Sequence, residues 1–222
     1  MPNVSLTASD GHILGAYRVD PTNTHRGAIV VIQEIFGVNS HIRAVCDRLA
    51  ALGYVAIAPA IFDRTQRDFQ SGYTAQDVEN ARAFISDPDW ESFMLDTDAA
   101  RASVADVGNV GIVGFCLGGS VAFLAAARLE GFSAASGYYG GRIASFADEK
   151  PRCPTQLHYG SRDQGIPMSN VDSVRAQLPD CDVYVYEGAE HGFNCDQRAS
   201  YHKEAAKEAW ARTLEIFSEN VD

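Results

Sequence analysis

Several things are scarce in this sequence, and each scarcity narrows what the chain can be. No Cys-x-x-Cys occurs; the five cysteines stand singly at 46, 116, 153, 181 and 195. An odd, scattered set builds neither a disulfide framework nor a zinc site, so reduced thiols in a reducing compartment are expected. Long apolar runs are missing as well: LAALGYVAIAPAIF (49–62) is interrupted by Gly53 and Pro59 and is too short to span a bilayer. The opening residues MPNVSLTASDGH lack the basic region and apolar core of a signal peptide. Positive charge is the third shortage, with 18 Lys and Arg against 29 Asp and Glu and a formal net charge of -11. So acidic a surface repels phosphate backbones and anionic lipid heads. The expectation is a soluble cytoplasmic protein with neither nucleic acid nor membrane as partner, and a monomer by default. An anionic small substrate stays open, because a pocket can carry local positive charge that the total hides.

What is present is ordinary globular material: 222 residues, 46 % hydrophobic and 21 % charged. That suits a single domain over 1–222 with a sizeable core. Short apolar runs at 28–33, 54–58, 110–115, 133–139, 155–160 and 182–187 read as strands, and LGAYRV (14–19) as part of an edge strand or hairpin. Runs as continuous as AIVVI fit strands covered on both faces, as in a parallel sheet. Helical periodicity lies between them. Ser40 is placed to cap a helix carrying Ile42, Val45, Cys46 and Leu49 on one face and ending at Gly53. Thr74 with Asp77, and Ser169 with Asp172, match capping boxes. Ala206, Ala209, Trp210, Leu214 and Phe217 form the stripe of a last helix over 202–219. The segment 63–109 is too long for one crossover helix and is expected to lay extra helical turns over one end of the sheet. The alternation predicts an α/β fold with a mostly parallel, doubly wound sheet and helices on both faces.

The sharpest local signal is VGIVGFCLGGS (110–120), a strand that enters Gly-x-Cys-x-Gly-Gly and leaves directly as a helix. This is the form of a nucleophile elbow with cysteine in place of serine. The small residues two before and two after Cys116 are what a strained strand-to-helix turn needs. The helix N-terminus beside the sulfur favours its thiolate. A buried structural cysteine and a redox-sensing thiol are the plainer alternatives. No Gly-x-Gly-x-x-Gly or phosphate-binding Gly-x-x-x-x-Gly-Lys occurs, so a nucleotide reading of the turn lacks its motif.

An elbow of this type predicts an acid and then a histidine, each on a loop after a later strand. Asp163 follows strand TQLHYG and His191 follows strand DVYVYE, in that order. Taken singly, Asp163 also fits a turn-capping residue and His191 an exposed loop histidine. His158 falls inside a strand and is expected to pack there; His12, His25, His41 and His202 read as surface residues. Glu34 ends the buried strand AIVVIQ, where a charge needs a partner. One reading is a salt bridge to an arginine such as Arg43, and the other is a carboxylate facing the thiol. The loop at Ile35 and the residue after the nucleophile, Leu117, are placed to supply the two amides of an oxyanion hole.

QEIFG, GFCLGGS, GSRD and EHGF, in this order and at these separations, resemble the dienelactone hydrolase family of α/β-hydrolases over essentially the whole chain. The resemblance implies Cys116, Asp163 and His191 as the triad, Glu34 as the carboxylate that controls the thiol's protonation, and Ile35 and Leu117 as oxyanion donors. It implies hydrolysis of a small lactone or ester, with dienelactone (carboxymethylenebutenolide) opened to maleylacetate in the enzyme that names the family, and no metal or organic cofactor. In one respect the sequence departs from the pattern. An arginine four residues after the catalytic histidine is expected to hold a substrate carboxylate, and Cys195 stands there. Arg198 is the nearest alternative, with Arg64, Arg67 and Arg142 on other loops. Tyr138, Tyr139, Gly140 and Gly141 fit pocket lining and ordinary packing equally well.

Overall fold

The computed structural model describes residues 3–222. Its strands are β1 (Val4–Thr7), β2 (Ile13–Val19), β3 (Gly27–Ile32), β4 (Tyr54–Pro59), β5 (Val110–Phe115), β6 (Ala134–Tyr138), β7 (Thr155–Gly160) and β8 (Asp182–Tyr186). Its α-helices are α1 (Ser40–Ala51), α2 (Ala75–Arg82), α3 (Trp90–Ala102), α4 (Leu117–Arg128), α5 (Met168–Gln177) and α6 (Lys203–Asn220). All eight strands join one sheet in the order β1-β2-β4-β3-β5-β6-β7-β8. The β1–β2 hairpin is antiparallel and pairs antiparallel with β4, whereas every pairing from β4 to β8 is parallel. β3 through β7 are buried along their whole length, in keeping with their unbroken apolar sequences.

Helices cover both faces of this sheet, and residue parity proves it. A Cβ on Gly137 would meet the backbone of Gly119 in α4, whereas the neighbouring Ser136 hydroxyl bonds Thr213 of α6 at 2.8 Å. Adjacent strand residues face opposite ways, so α4 and α6 lie on opposite sides. α1 joins the α6 side, with Arg48 over the Trp210 ring, and α3 packs beside α4. The chain winds one way through β3 and β4 and then returns past β3 to β5. The carboxyl ends of β3 and β5 therefore flank the switch point where open α/β sheets bind ligands. The residues there are Glu34 and Cys116.

Local signals hold in most places. Thr74 and Asp77 form the expected capping box, and Gly53, at φ 98°, turns the chain after α1. The long 63–109 segment folds into α2, a 3₁₀ turn at Ala83–Ile85 and α3. Three expectations are corrected. Asn39, extended and not yet helical, caps α1 by accepting from the Ile42 amide at 3.3 Å; Ser40 is already helical and its hydroxyl bonds Gln197 instead. α5 has no side-chain cap, because the extended Pro167 occupies the cap position and Ser169 lies inside the helix. His41 is fully buried and not at the surface, with its ring edge-on to Phe115 at 5.8 Å. Standing four residues before Val45, it shares the core stripe of α1 whatever its polarity.

Between β6, β7 and α6 lies a buried polar cluster. Thr213 Oγ1 reaches Ser136, Tyr138 (2.7 Å) and His158 Nε2 (3.4 Å), while His158 Nδ1 meets the Tyr186 hydroxyl at 2.9 Å. Burial, and secondarily the Arg212 charge, pulls the His158 pKa from 6.5 down to about 3, so the ring is neutral in the fold. An unfolded chain takes up that proton near 6.5, so stability falls as pH drops from 6.5 toward 3. Urea denaturation should show about 2 kcal/mol of this loss between pH 6.5 and pH 5 from His158 alone. A His158→Gln variant should show a correspondingly shallower slope over that range.

Candidate active site

At the end of β5 the chain turns sharply into α4. Cys116 sits at φ 55°, ψ −114°, outside the regions open to most side chains, and α4 starts at the next residue. Neighbouring backbone holds that geometry: the Cys116 amide donates to Tyr138 O (3.0 Å) and the Gly118 amide to Gln33 O (3.1 Å). A Cβ on Gly114 would lie 1.8 Å from Gly118 O, one on Gly118 2.4 Å from Ile32 O, and one on Gly119 2.4 Å from Tyr138 O. All three are impossible contacts, so the Gly-x-Cys-x-Gly-Gly sequence is a steric requirement. A strained non-glycine residue costs about 1–3 kcal/mol, which the surrounding packing offsets.

Cys116, Leu117 and His191 line one cavity of about 400 Å³ beyond the carboxyl ends of β3 and β5. Ile85 and Pro88, between α2 and α3, and Trp90, the first residue of α3, wall it, and Ile35 lines it with Cys116. Among the described residues, neither the Ile35 nor the Leu117 amide donates a hydrogen bond within the chain. Two unused donors thus border the space next to the sulfur.

His191 Nδ1 lies 2.7 Å from Asp163 Oδ2, and the other Asp163 oxygen accepts from the Gly165 amide at 2.8 Å. The Asp163 side chain is wholly buried, whereas the His191 side chain keeps 30 % of its exposure. Burial disfavours the imidazolium, but the Cys116 sulfur and the Asp163 hydrogen bond together outweigh it. The His191 pKa rises to about 10. The ring also lies against Tyr139, centroid to centroid 5.1 Å.

Glu34, two residues past the end of β3, is fully buried, and its partner is not Arg43. Arg198 Nη1 meets Glu34 Oε1 at 3.0 Å, and the Tyr73 hydroxyl donates to Oε2 at 3.3 Å. Arg43 instead donates to Val38 O and Gln70. The Arg198 guanidinium lies 5.7 and 5.6 Å from the Phe36 and Tyr73 ring centres and does not line the cavity. Cys195 fills the space next to it, its thiol 3.3 Å from the Tyr73 hydroxyl and pushed up to about 11, chiefly by burial and then by the Glu34 charge.

Glu34, His41 and Cys195 bring potential metal-ligand atoms within 4.8 Å of one another. A cation there would have to displace both the Arg198 guanidinium and the Cys195 proton. Of the other arginines, Arg64 is held by Asp10 and Asp96 and Arg67 by Ile13 O, while Arg142 lines the cavity. Tyr73 and the Ile85, Pro88 and Trp90 wall were not foreseen; apart from the capping box at Thr74, their segment carries no motif that points to the site.

A model of the dienelactone hydrolase family matches residues 14–221. The chain belongs to the dienelactone hydrolase family. A relative in Synechocystis sp. with the provisional name carboxymethylenebutenolidase is 38 % identical over 208 residues, covering 85 % of this chain and 84 % of its own. The carboxymethylenebutenolidase of Pseudomonas putida is 32 % identical over 235 residues, covering 97 % and 95 %. Among solved structures, a provisionally named dienelactone hydrolase from Klebsiella pneumoniae is similar at TM-score 0.84 and 31 % identity, covering 97 % of this chain and 99 % of that one. An esterase of Pyrococcus furiosus shares the fold at TM-score 0.72 and 15 % identity, covering 98 % and 91 %. The fold is therefore that of the α/β-hydrolases, and the protein is a hydrolase acting on esters. No helix among the described residues is long and apolar enough to cross a membrane.

Replacing Asp163 with Asn removes the negative charge that helps hold a proton on His191. In Asp163→Asn, NMR titration of the His191 ring should place its pKa lower by about one unit or more.

Proposed function

We propose that this hydrolase is cysteine-dependent and acts on small lactones and esters, foremost dienelactone (carboxymethylenebutenolide), which it opens to maleylacetate. The observation that carries this reading is the cavity itself. A thiol on a strained elbow, a histidine backed by a buried carboxylate and two unused backbone amides converge on one space. The name of the Pseudomonas putida relative supports the substrate, and the five free thiols suit a reducing, cytoplasmic setting.

The chemistry follows from that arrangement. The Cys116 sulfur attacks the acyl carbon while its proton resides on His191, and the carbonyl electrons pass to an oxyanion facing the Ile35 and Leu117 amides. Collapse breaks the acyl–oxygen bond. The leaving oxygen takes the proton from His191, and a thioester remains on Cys116. A water then gives a proton to His191 and its oxygen to the acyl carbon, releasing the carboxylic acid and the thiol. Asp163 keeps the ring in the required tautomer and stabilises its charged form. Glu34, buried immediately before Ile35 in the chain, acts on the thiol's protonation, with Arg198 and Tyr73 setting the position of its carboxylate.

One observation favours a second reading, a broader carboxylesterase. Buried Cys195 occupies the place four residues after His191, and Arg198 is engaged by Glu34.

Ultraviolet loss of dienelactone on adding the protein, with Cys116→Ala as control, separates the two. Turnover that disappears in the variant is the expected result. Cys116-dependent cleavage of p-nitrophenyl acetate without dienelactone turnover would sustain the mechanism and select the second reading. For Glu34, a Glu34→Gln variant should alter both the rate and the pH profile of Cys116 alkylation. Unchanged kinetics would rule out control by that carboxylate.

A further inference from the structure

The cavity beside Cys116 contains a cation that nothing among the described residues neutralises. Arg142 lies on the loop between β6 and a 3₁₀ turn at Ile143–Ser145, exposed and lining the same space as the thiol and His191. Among the described residues its guanidinium makes no hydrogen bond or ion pair, in contrast to Arg198 and Arg64, both held by carboxylates. No Asp or Glu lines the cavity with it. In a chain of net charge -11, an uncompensated cation in a catalytic cleft is an exception to the general surface.

The base of this side chain is held firmly even though its head is free. The Arg142 amide donates to Ser120 Oγ at 3.1 Å, and its carbonyl accepts from the Ser145 amide at 2.9 Å. Gly140, just before it, lies so close to α4 that a Cβ there would fall 2.9 Å from Ser120 N. The loop thus rests on the first turn of α4, the same turn that positions Cys116. A guanidinium carried on that support has the fork geometry that binds a carboxylate through two hydrogen bonds. Ile85, Pro88 and Trp90 offer an apolar wall for an unsaturated carbon skeleton.

We propose that Arg142 is the anion-recognition residue of this site and selects lactones and esters that carry a free carboxylate. This rests on the hydrolase reading above and gives its substrates a charge. It also assigns the carboxylate contact to the loop after β6, on a different part of the chain from the segment after His191.

The test compares p-nitrophenyl acetate with the p-nitrophenyl monoesters of succinate and glutarate, in wild type, Arg142→Met, Arg142→Lys and Cys116→Ala. The kcat/KM ratio of anionic over neutral ester should fall roughly 10- to 100-fold in Arg142→Met, mainly through KM, and recover in part in Arg142→Lys. A second measurement needs no turnover. Cys116, the one cysteine in the tryptic peptide 102–128, is alkylated with iodoacetate or iodoacetamide, and the two products are quantified by mass. The iodoacetate to iodoacetamide rate ratio should drop in Arg142→Met. If both ratios stay at wild-type values while turnover still depends on Cys116, the Arg142 proposal is overturned and the hydrolase reading survives. If no ester is cleaved in a Cys116-dependent way, the hydrolase reading fails, and an alkylation ratio that still follows Arg142 supports anion recognition independently of it.

Discussion

The approach of the first turn of α4 to the ends of β3 and β6 governs this structure. Backbone meets backbone there with no room for a single methyl group, and every other part of the site is positioned relative to that contact. It forces Cys116 into a conformation that side chains avoid, which raises the sulfur clear of the sheet. It sets the Leu117 amide beside the sulfur and the Ile35 loop across from it. It also gives the loop after β6 a surface to rest on. Close packing of this kind has no continuous range of adjustment, so the site is either assembled or absent.

A second constraint is the buried charge of Glu34. A carboxylate taken fully out of water must find compensation, and here it does so from distant parts of the chain: Tyr73 before α2 and Arg198 after β8. Removing one partner of such a pair generally costs about 3–5 kcal/mol, because the other charge is left buried and alone. The pair thereby fastens the segment at 69–73 and the loop after His191 onto the loop that bears Ile35. The Gly37–Gln70 bridge and the Ser71 amide on Phe36 O reinforce the same attachment.

Much of this was legible before the structure. The parallel strands, the capping box at Thr74 and the elbow at Cys116 depend on local sequence, where steric and hydrogen-bonding rules act within a few residues. Asp163 and His191 were legible because each directly follows a recognisable strand, and the geometry joins them at 2.7 Å. What sequence could not reveal is pairing between distant loops. Glu34 announced that it needed a cation, but nothing in the chain distinguished Arg43 from Arg198. His41 is buried because its place on the stripe of α1 overrides the polarity of its residue type. Caps at α1 and α5 were misplaced by one or two residues, since Asn39 and Pro167 compete with serine for the same role. The location of Arg142 in the cleft depends on a loop whose path only the folded chain defines.

The order in which these partners occur along the chain has a consequence for its biosynthesis. Residue 34 is made first, the Cys116 sulfur next, Asp163 and His191 later, and the guanidinium that compensates Glu34 last. A polypeptide that has not yet been extended past residue 198 therefore carries the Glu34 carboxylate without the guanidinium that permits its burial.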